Sequence, residues 1–139
     1  MTGFIDTSVL VAAIVASEAH HVECARLLDL AGLGMFGQGL AETFSTLTGG
    51  RRAFRMAAAA ASAVLEEDYA PDLTITSLTP AEMLRAMREA ESRGVRGGAI
   101  FNYLHLVAAR KAKATRLYTL NLSNFHACRR AGDPEIVHP

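Results

Sequence analysis

Two acids and three amides stand where chemistry can gather. Asp6 closes a short apolar run. Glu42 lies near the start of one helix-like stretch and Asn102 near the start of another, and Asn121 and Asn124 follow "RLYTL". Such side chains offer hard oxygen atoms, which together can ligate a hard cation; a strand-end Asp can also attack phosphorus as a nucleophile. Each residue has an ordinary reading when taken alone. Asp6 can cap a helix starting at Thr7 or Ser8, Glu42 can be a solvated helix acid, Asn121 and Asn124 can be turn residues, and Asn102 can be a surface or capping amide. Only their joint arrangement carries weight. The nucleophile reading also needs a supporting Lys motif, and none is recognisable. His105 follows Asn102 by about one turn and can face the same way. Its ordinary reading, a partly buried structural histidine, is preferred. His20 and His21 have no metal-ligand spacing to another His or Cys.

The elements that must position these residues follow from periodicity and punctuation. "TGFID" (2–6) reads as a strand and "TSVLVAAIVAS" (7–17) as a helix with Thr and Ser near its start. A second helix is expected over 20–33 and a brief buried strand within the Gly-rich 32–39. Helices are expected over 40–49 and over the Ala-rich 56–70, which Pro71 and Asp72 stop. "LTITSL" (73–78) alternates like a strand. "TPAEMLRAMREAESRG" (79–94) has a Thr cap, Pro at the first helical position, Glu three residues after the cap and a closing Gly. Then come a helix over 97–112, a strand over 116–121, a loop over 122–134 with room for a short helical turn, and a last strand over 135–137. Alternating strands and helices predict a mainly parallel sheet of four or five strands between two helical layers, a three-layer α/β/α domain. In such sheets functional groups collect beyond the carboxyl ends of the strands, where all five polar residues can meet.

The totals narrow the class. The 139 residues suit one domain, 1–139, with a sizeable core. Half are hydrophobic and a fifth charged, a globular rather than disordered composition. Lys plus Arg equals Asp plus Glu at 14 each, so a nucleic-acid partner would have to meet a local basic patch. The two cysteines, Cys24 and Cys128, are too few for a disulfide scaffold. "VLVAAIVA" (9–16) lacks a preceding basic stretch and is too short to span a bilayer. A cytoplasmic protein without membrane attachment is expected.

The blocks "FIDTSVLVA", "GLAETFSTLT", "GGAIFNYLHLVAARKAKATRLYTLN" and "NF" at 124–125 occur in that order across essentially the whole chain. Together they resemble PIN-domain proteins, most closely the VapC-type toxins of toxin–antitoxin pairs. The resemblance implies a metal-dependent endoribonuclease using Mg2+ or Mn2+. It matches Asp6 to the first acid of the family's site and Glu42 to the second. Asn102 stands where a third acid, normally Asp, is expected. The fourth acid falls in a loop that here offers Asn121 and Asn124, with no carboxylate before Asp133. Thr7, Ser8, Asn124 and His105 are possible auxiliaries, His105 by positioning RNA or accepting a proton.

An Asn carbonyl can ligate magnesium but brings no charge, so weak metal binding and reduced turnover are expected. Two origins for Asn102 stand open: an Asp→Asn change introduced to silence a toxin, which the close match of the flanks favours, or a naturally weakened member. RNA phosphates would be met by Arg51, Arg52 and Arg55, by Arg110, Lys111, Lys113 and Arg116, or by Arg129 and Arg130. Each group can equally be a solubilising surface. The resemblance further implies an antitoxin protein seated in an apolar groove supplied by 9–33 and 40–65, and a homodimer with the Ala-rich 56–65 available for close packing. The alternative is a non-catalytic PIN-fold module that binds RNA or a protein partner.

Overall fold

Phe4 and Ile5 are neighbours in sequence, both fully buried, and belong to different hydrophobic clusters. Strand alternation sends successive side chains to opposite faces, so a strand buried on both faces needs a helical layer on each. The computed structural model describes residues 3–50 and 55–139 and has that arrangement. Strands β1 (Gly3–Ile5), β2 (Leu33–Phe36), β3 (Thr74–Thr76), β4 (Arg116–Tyr118) and β5 (Glu135–Val137) form one sheet in the order β3-β2-β1-β4-β5. Every pairing is parallel. Phe4, Phe36, Leu117 and Ile136 share one face with Tyr103, Leu104 and Phe125. Ile5, Leu33 and Met35 share the other with Val9, Leu10 and Leu27. The three-layer α/β/α architecture follows, with five parallel strands.

The helices are α1 (Thr7–Ile14), α2 (His21–Leu28), α3 (Gly37–Thr48), α4 (Ala58–Ala63), α5 (Pro80–Glu89), α6 (Ala99–Lys111) and α7 (Leu122–Cys128). Several boundaries differ from those expected. α2 stops at Leu28 rather than reaching 33, because Leu30 is an exposed apolar residue, not a continuation of the buried stripe. α3 begins at Gly37 rather than 40. The glycines that suggested a strand end instead allow close approach, since a Cβ on Gly39 would lie 2.4 Å from Met35 Cε. The helix expected over 56–70 is α4 followed by a wider π-helical stretch, Val64–Tyr69, and a 3-10 turn at Ala70–Asp72. β4 ends at Tyr118. Thr119 N still donates to Val137 O, but Leu120 N turns to Ser8 Oγ at 3.0 Å and leaves the sheet. The 122–134 loop contains α7, whose Phe125 and Cys128 are buried at i,i+3 spacing. Cys24 and Cys128 are both free and buried. Among the described residues no helix is long and apolar enough to cross a membrane.

The expected capping box is present at α5. Glu82 N donates to Thr79 Oγ1 at 3.2 Å, and Thr79 N donates to Glu82 Oε1 at 3.0 Å. Glu82 also receives Lys111 Nζ at 2.7 Å, which ties α5 to the end of α6. Thr79→Ala is expected to lower unfolding free energy by about 1 kcal/mol. Urea melts check this, and an unchanged midpoint would mean that the cap is not limiting.

Candidate active site

The chain builds the sheet outward from β1 in one direction through β2 and β3, then returns to add β4 and β5 on the other side. The reversal lies between β1 and β4, the place in an open parallel sheet where ligands bind beyond the carboxyl ends of the strands. Asp6 follows β1 at that point and is 3% exposed. Its Oδ1 accepts from Ser8 Oγ at 2.6 Å and from Val9 N at 3.2 Å, so it caps α1 as the sequence suggested. Its Oδ2 accepts from Thr119 Oγ1, beyond β4, at 2.7 Å. Three donors leave one of a carboxylate's four acceptor positions unused. Burial holds the Asp6 carboxyl above its ordinary range, despite the lowering effect of the Ser8 and Thr119 hydrogen bonds.

Glu42 approaches from the second turn of α3. Its Oε1 accepts from Thr7 Oγ1 at 3.1 Å and lies 2.6 Å from His105 Nε2 on α6. Partial burial raises its carboxyl, but the hydrogen bonds from His105 and Thr7 outweigh that, so it titrates below the ordinary range. His105 is 2% exposed, more deeply buried than expected, and its ring meets the edge of Phe36.

These groups line an open pocket of about 420 Å³. Asp6, Thr7 and Ser8 form one wall, Glu42 and Thr46 a second, Asn102 and His105 a third, and Leu120 and Asn121 a fourth. Val11 and Glu18 complete the rim. Asn124 is not among the lining residues: it is exposed on α7, because the segment is helical and turns Phe125 inward instead. Asp133 is also elsewhere, buried and paired with Arg93 and, at 3.3 Å, with Arg110. Of the basic residues proposed for RNA, Arg55, Arg110, Lys111, Lys113, Arg116, Arg129 and Arg130 do not line this pocket. Arg51 and Arg52 lie outside the described residues. Arg110 is eight residues after Asn102, roughly 12 Å along the helix axis, and Lys113 lies beyond it, towards the amino end of β4. Arg129 bonds the carbonyls of Pro134 and Asp133, tying its own loop together. Among the other histidines, His21 Nδ1 contacts Ala12 O and His20 contacts Glu23.

The chain is 30% identical over 110 residues to ribonuclease VapC27 of Mycobacterium tuberculosis, covering 79% of this chain and 78% of that protein. This chain belongs to the PIN-domain VapC ribonucleases. The crystal structure of M. tuberculosis VapC20, a sarcin–ricin-loop-cleaving toxin, matches with a TM-score of 0.73 at 24% identity, covering 99% of this chain and 100% of that one. The Rickettsia felis VapBC2 complex, bound to a promoter DNA fragment, matches at 0.68 with 16% identity over 100% of this chain and 99% of its own. VapBC-1 of Haemophilus influenzae matches at 0.68 with 15% identity over 99% and 98%. No family model matches the chain.

In this VapC-family chain, sequence reading overlooked Glu18 and Thr119. Glu18 lies in a loop with no periodic signal, and Thr119 resembled an ordinary strand residue. Among the described residues no three His, Cys, Asp or Glu side chains form a metal-holding group. The oxygen donors available in the pocket are Asp6 and Glu42 with the Asn102 and Asn121 amides. This set still fits magnesium, which accepts one or two carboxylates and retains several waters.

The raised Asp6 value gives a signed pH dependence. The folded chain holds that proton more tightly than the unfolded chain does, so the associated stability is lost as pH rises through the folded value. Asp6→Asn removes the titration. In the presence of a chelator, it is expected to gain stability relative to the parent as pH rises from the ordinary carboxylate range towards neutrality. Paired thermal melts measure this, and a pH-independent difference would mean that Asp6 titrates normally.

Proposed function

We propose that this chain is the toxin of a toxin–antitoxin pair: a single-domain endoribonuclease that depends on Mg2+ or Mn2+ and is weakened at Asn102. The observation that carries this reading is the meeting of Asp6, Glu42, Asn102 and Asn121 at the β1/β4 switch point of a VapC-family fold. Asp6 and Glu42 would hold the cation, and the two amides would add neutral oxygens or donate to phosphate. When bound, such a cation polarises a phosphodiester and lowers the pKa of a bound water. The chain's own contribution is to fix the ligands. Ser8, Val9 and Thr119 hold Asp6. A third carboxylate at 102 would add a full charge that an amide lacks, which is the basis for expecting weak cation binding.

The VapBC complexes among the structural neighbours support an antitoxin protein as partner. A mainly apolar groove lined by Leu40, Phe44, Leu65 and Ala70, between α3 and the π-helical stretch, offers a seat that overlaps the expected 40–65 segment and extends past it to Ala70. The exposed Ala58, Ala59 and Ala60 would allow close packing in a homodimer. The neutral Asn102 is what favours the second reading, a PIN-fold module that binds RNA or antitoxin without cleaving.

Asn102→Asp decides between the two. It is expected to tighten Mn2+ binding and to raise cleavage of cellular RNA on the order of a hundredfold. Calorimetry and gel assays with Mg2+ or Mn2+ provide the readouts. An Asn102→Asp protein that binds no cation and leaves RNA intact would overturn the nuclease reading.

A further inference from the structure

His105 Nδ1 is a buried side-chain atom with no hydrogen-bond partner among the described residues. A histidine serving only the core would be expected to satisfy both ring nitrogens. This one leaves one nitrogen bare and brings the other to 2.6 Å from Glu42 Oε1. The pattern fixes the tautomer. A proton on Nδ1 alone would be a buried donor without an acceptor, while the Nε2 lone pair would face a carboxylate oxygen. With the proton on Nε2, the ring donates to Glu42.

The ring is also held in place. Phe36 meets it edge-on at 5.4 Å, and a Cβ on Gly39 would come within 3.1 Å of its Cε1, so the start of α3 leaves space that the ring occupies. Thr7 Oγ1 donates to the same Glu42 oxygen at 3.1 Å. Two donors from two elements thus engage Oε1, and no hydrogen bond to Oε2 is present among the described residues.

We propose that His105 is a positioning residue: with Thr7 it clamps Oε1 and commits Oε2 of Glu42 to a cation in the pocket. The inference rests on the metal site of the preceding subsection. It makes α6 responsible for two of the site's features, since Asn102 and His105 lie at i,i+3 on that helix.

The test measures Mn2+ binding by calorimetry in the Asn102→Asp protein. His105→Leu is expected to weaken binding about tenfold or more, the usual effect of removing a group that orients a metal ligand. Its metal-free melting temperature should stay level or rise, because the bare Nδ1 is removed. His105→Gln, which can place a donor N–H near the original Nε2, should recover much of the affinity. In a Glu42→Gln background, adding His105→Leu should cause no further loss, because the clamp has no carboxylate to orient. Equal Mn2+ affinity in the His105→Leu and parent proteins would overturn the clamp while leaving the metal site intact. So would a loss that persists in the Glu42→Gln background or that tracks a lowered metal-free melting temperature. Absence of Mn2+ binding in the Asn102→Asp protein itself would overturn the metal site, and the clamp with it.

Discussion

The structure depends on one buried carboxylate holding two strand ends together. Asp6 accepts from the first turn of α1 through Ser8 and Val9, and from beyond β4 through Thr119. Ser8 then accepts from Leu120 N, and Thr119 Oγ1 accepts from Asn121 N. A single polar network therefore sets where α1 begins, where β4 stops pairing and where Asn121 sits. In an open parallel sheet ligands bind beyond the strand ends at the switch point, and Asp6 links the two segments that leave the sheet there. Burial opposes ionisation of this acid, so the fold bears a cost for keeping a charge there. Such a cost is common at functional sites, where stability and chemistry compete.

The second constraint is the close approach of α3 to α6. Gly39 brings the helices near enough for Glu42 and His105 to meet, and Phe36, the residue just before α3, packs against the same ring. Glycine lowers helix propensity, so Gly37 and Gly39 weaken α3 locally. What they provide instead is access. A larger residue at 39 would displace Met35 or His105, and with them the orientation of Glu42.

This division explains what the sequence could and could not tell. Asp6 and Asn121 were legible because strand ends can be read from apolar runs and turn residues, and a parallel sheet sends both to one edge. Glu42 and Asn102 were legible because helices that follow or precede such strands have their starts or ends fixed relative to that edge. The three-layer fold was legible for the same reason. Asn124 falls outside the pocket because "LSNFHAC", expected as a loop with room for a short helical turn, is a helix throughout, with Leu122, Phe125 and Cys128 at helical spacing. The early start of α3 was hidden because glycines that permit tertiary contact look locally like strand ends. The depth to which His105 is buried was hidden for a related reason: it meets Glu42 and Gly39, sixty or more residues away, and periodicity carries no information about such partners.

The charge balance hides a local asymmetry. Among the described residues the pocket lining includes Asp6, Glu18 and Glu42 and no Lys or Arg, and Glu18 is itself engaged with another group. Arg110 and Lys111 sit at the far end of α6, engaged with Asp133, Glu89 and Glu82. A phosphate approaching Asp6 and Glu42 meets like charge wherever these acids are ionised. On the nuclease reading, a cation held by Asp6 and Glu42 would have two tasks: polarising the phosphodiester, and offsetting the charge of the two carboxylates so that RNA can enter. An amide at 102 then acts in opposing directions. It reduces the repulsion that phosphate meets in the metal-free pocket, but it also reduces the attraction that retains the cation. On that reading polarisation of the phosphate and activation of water would both need the cation, so the second effect would limit turnover, while the first would decide whether RNA can rest in the pocket uncut.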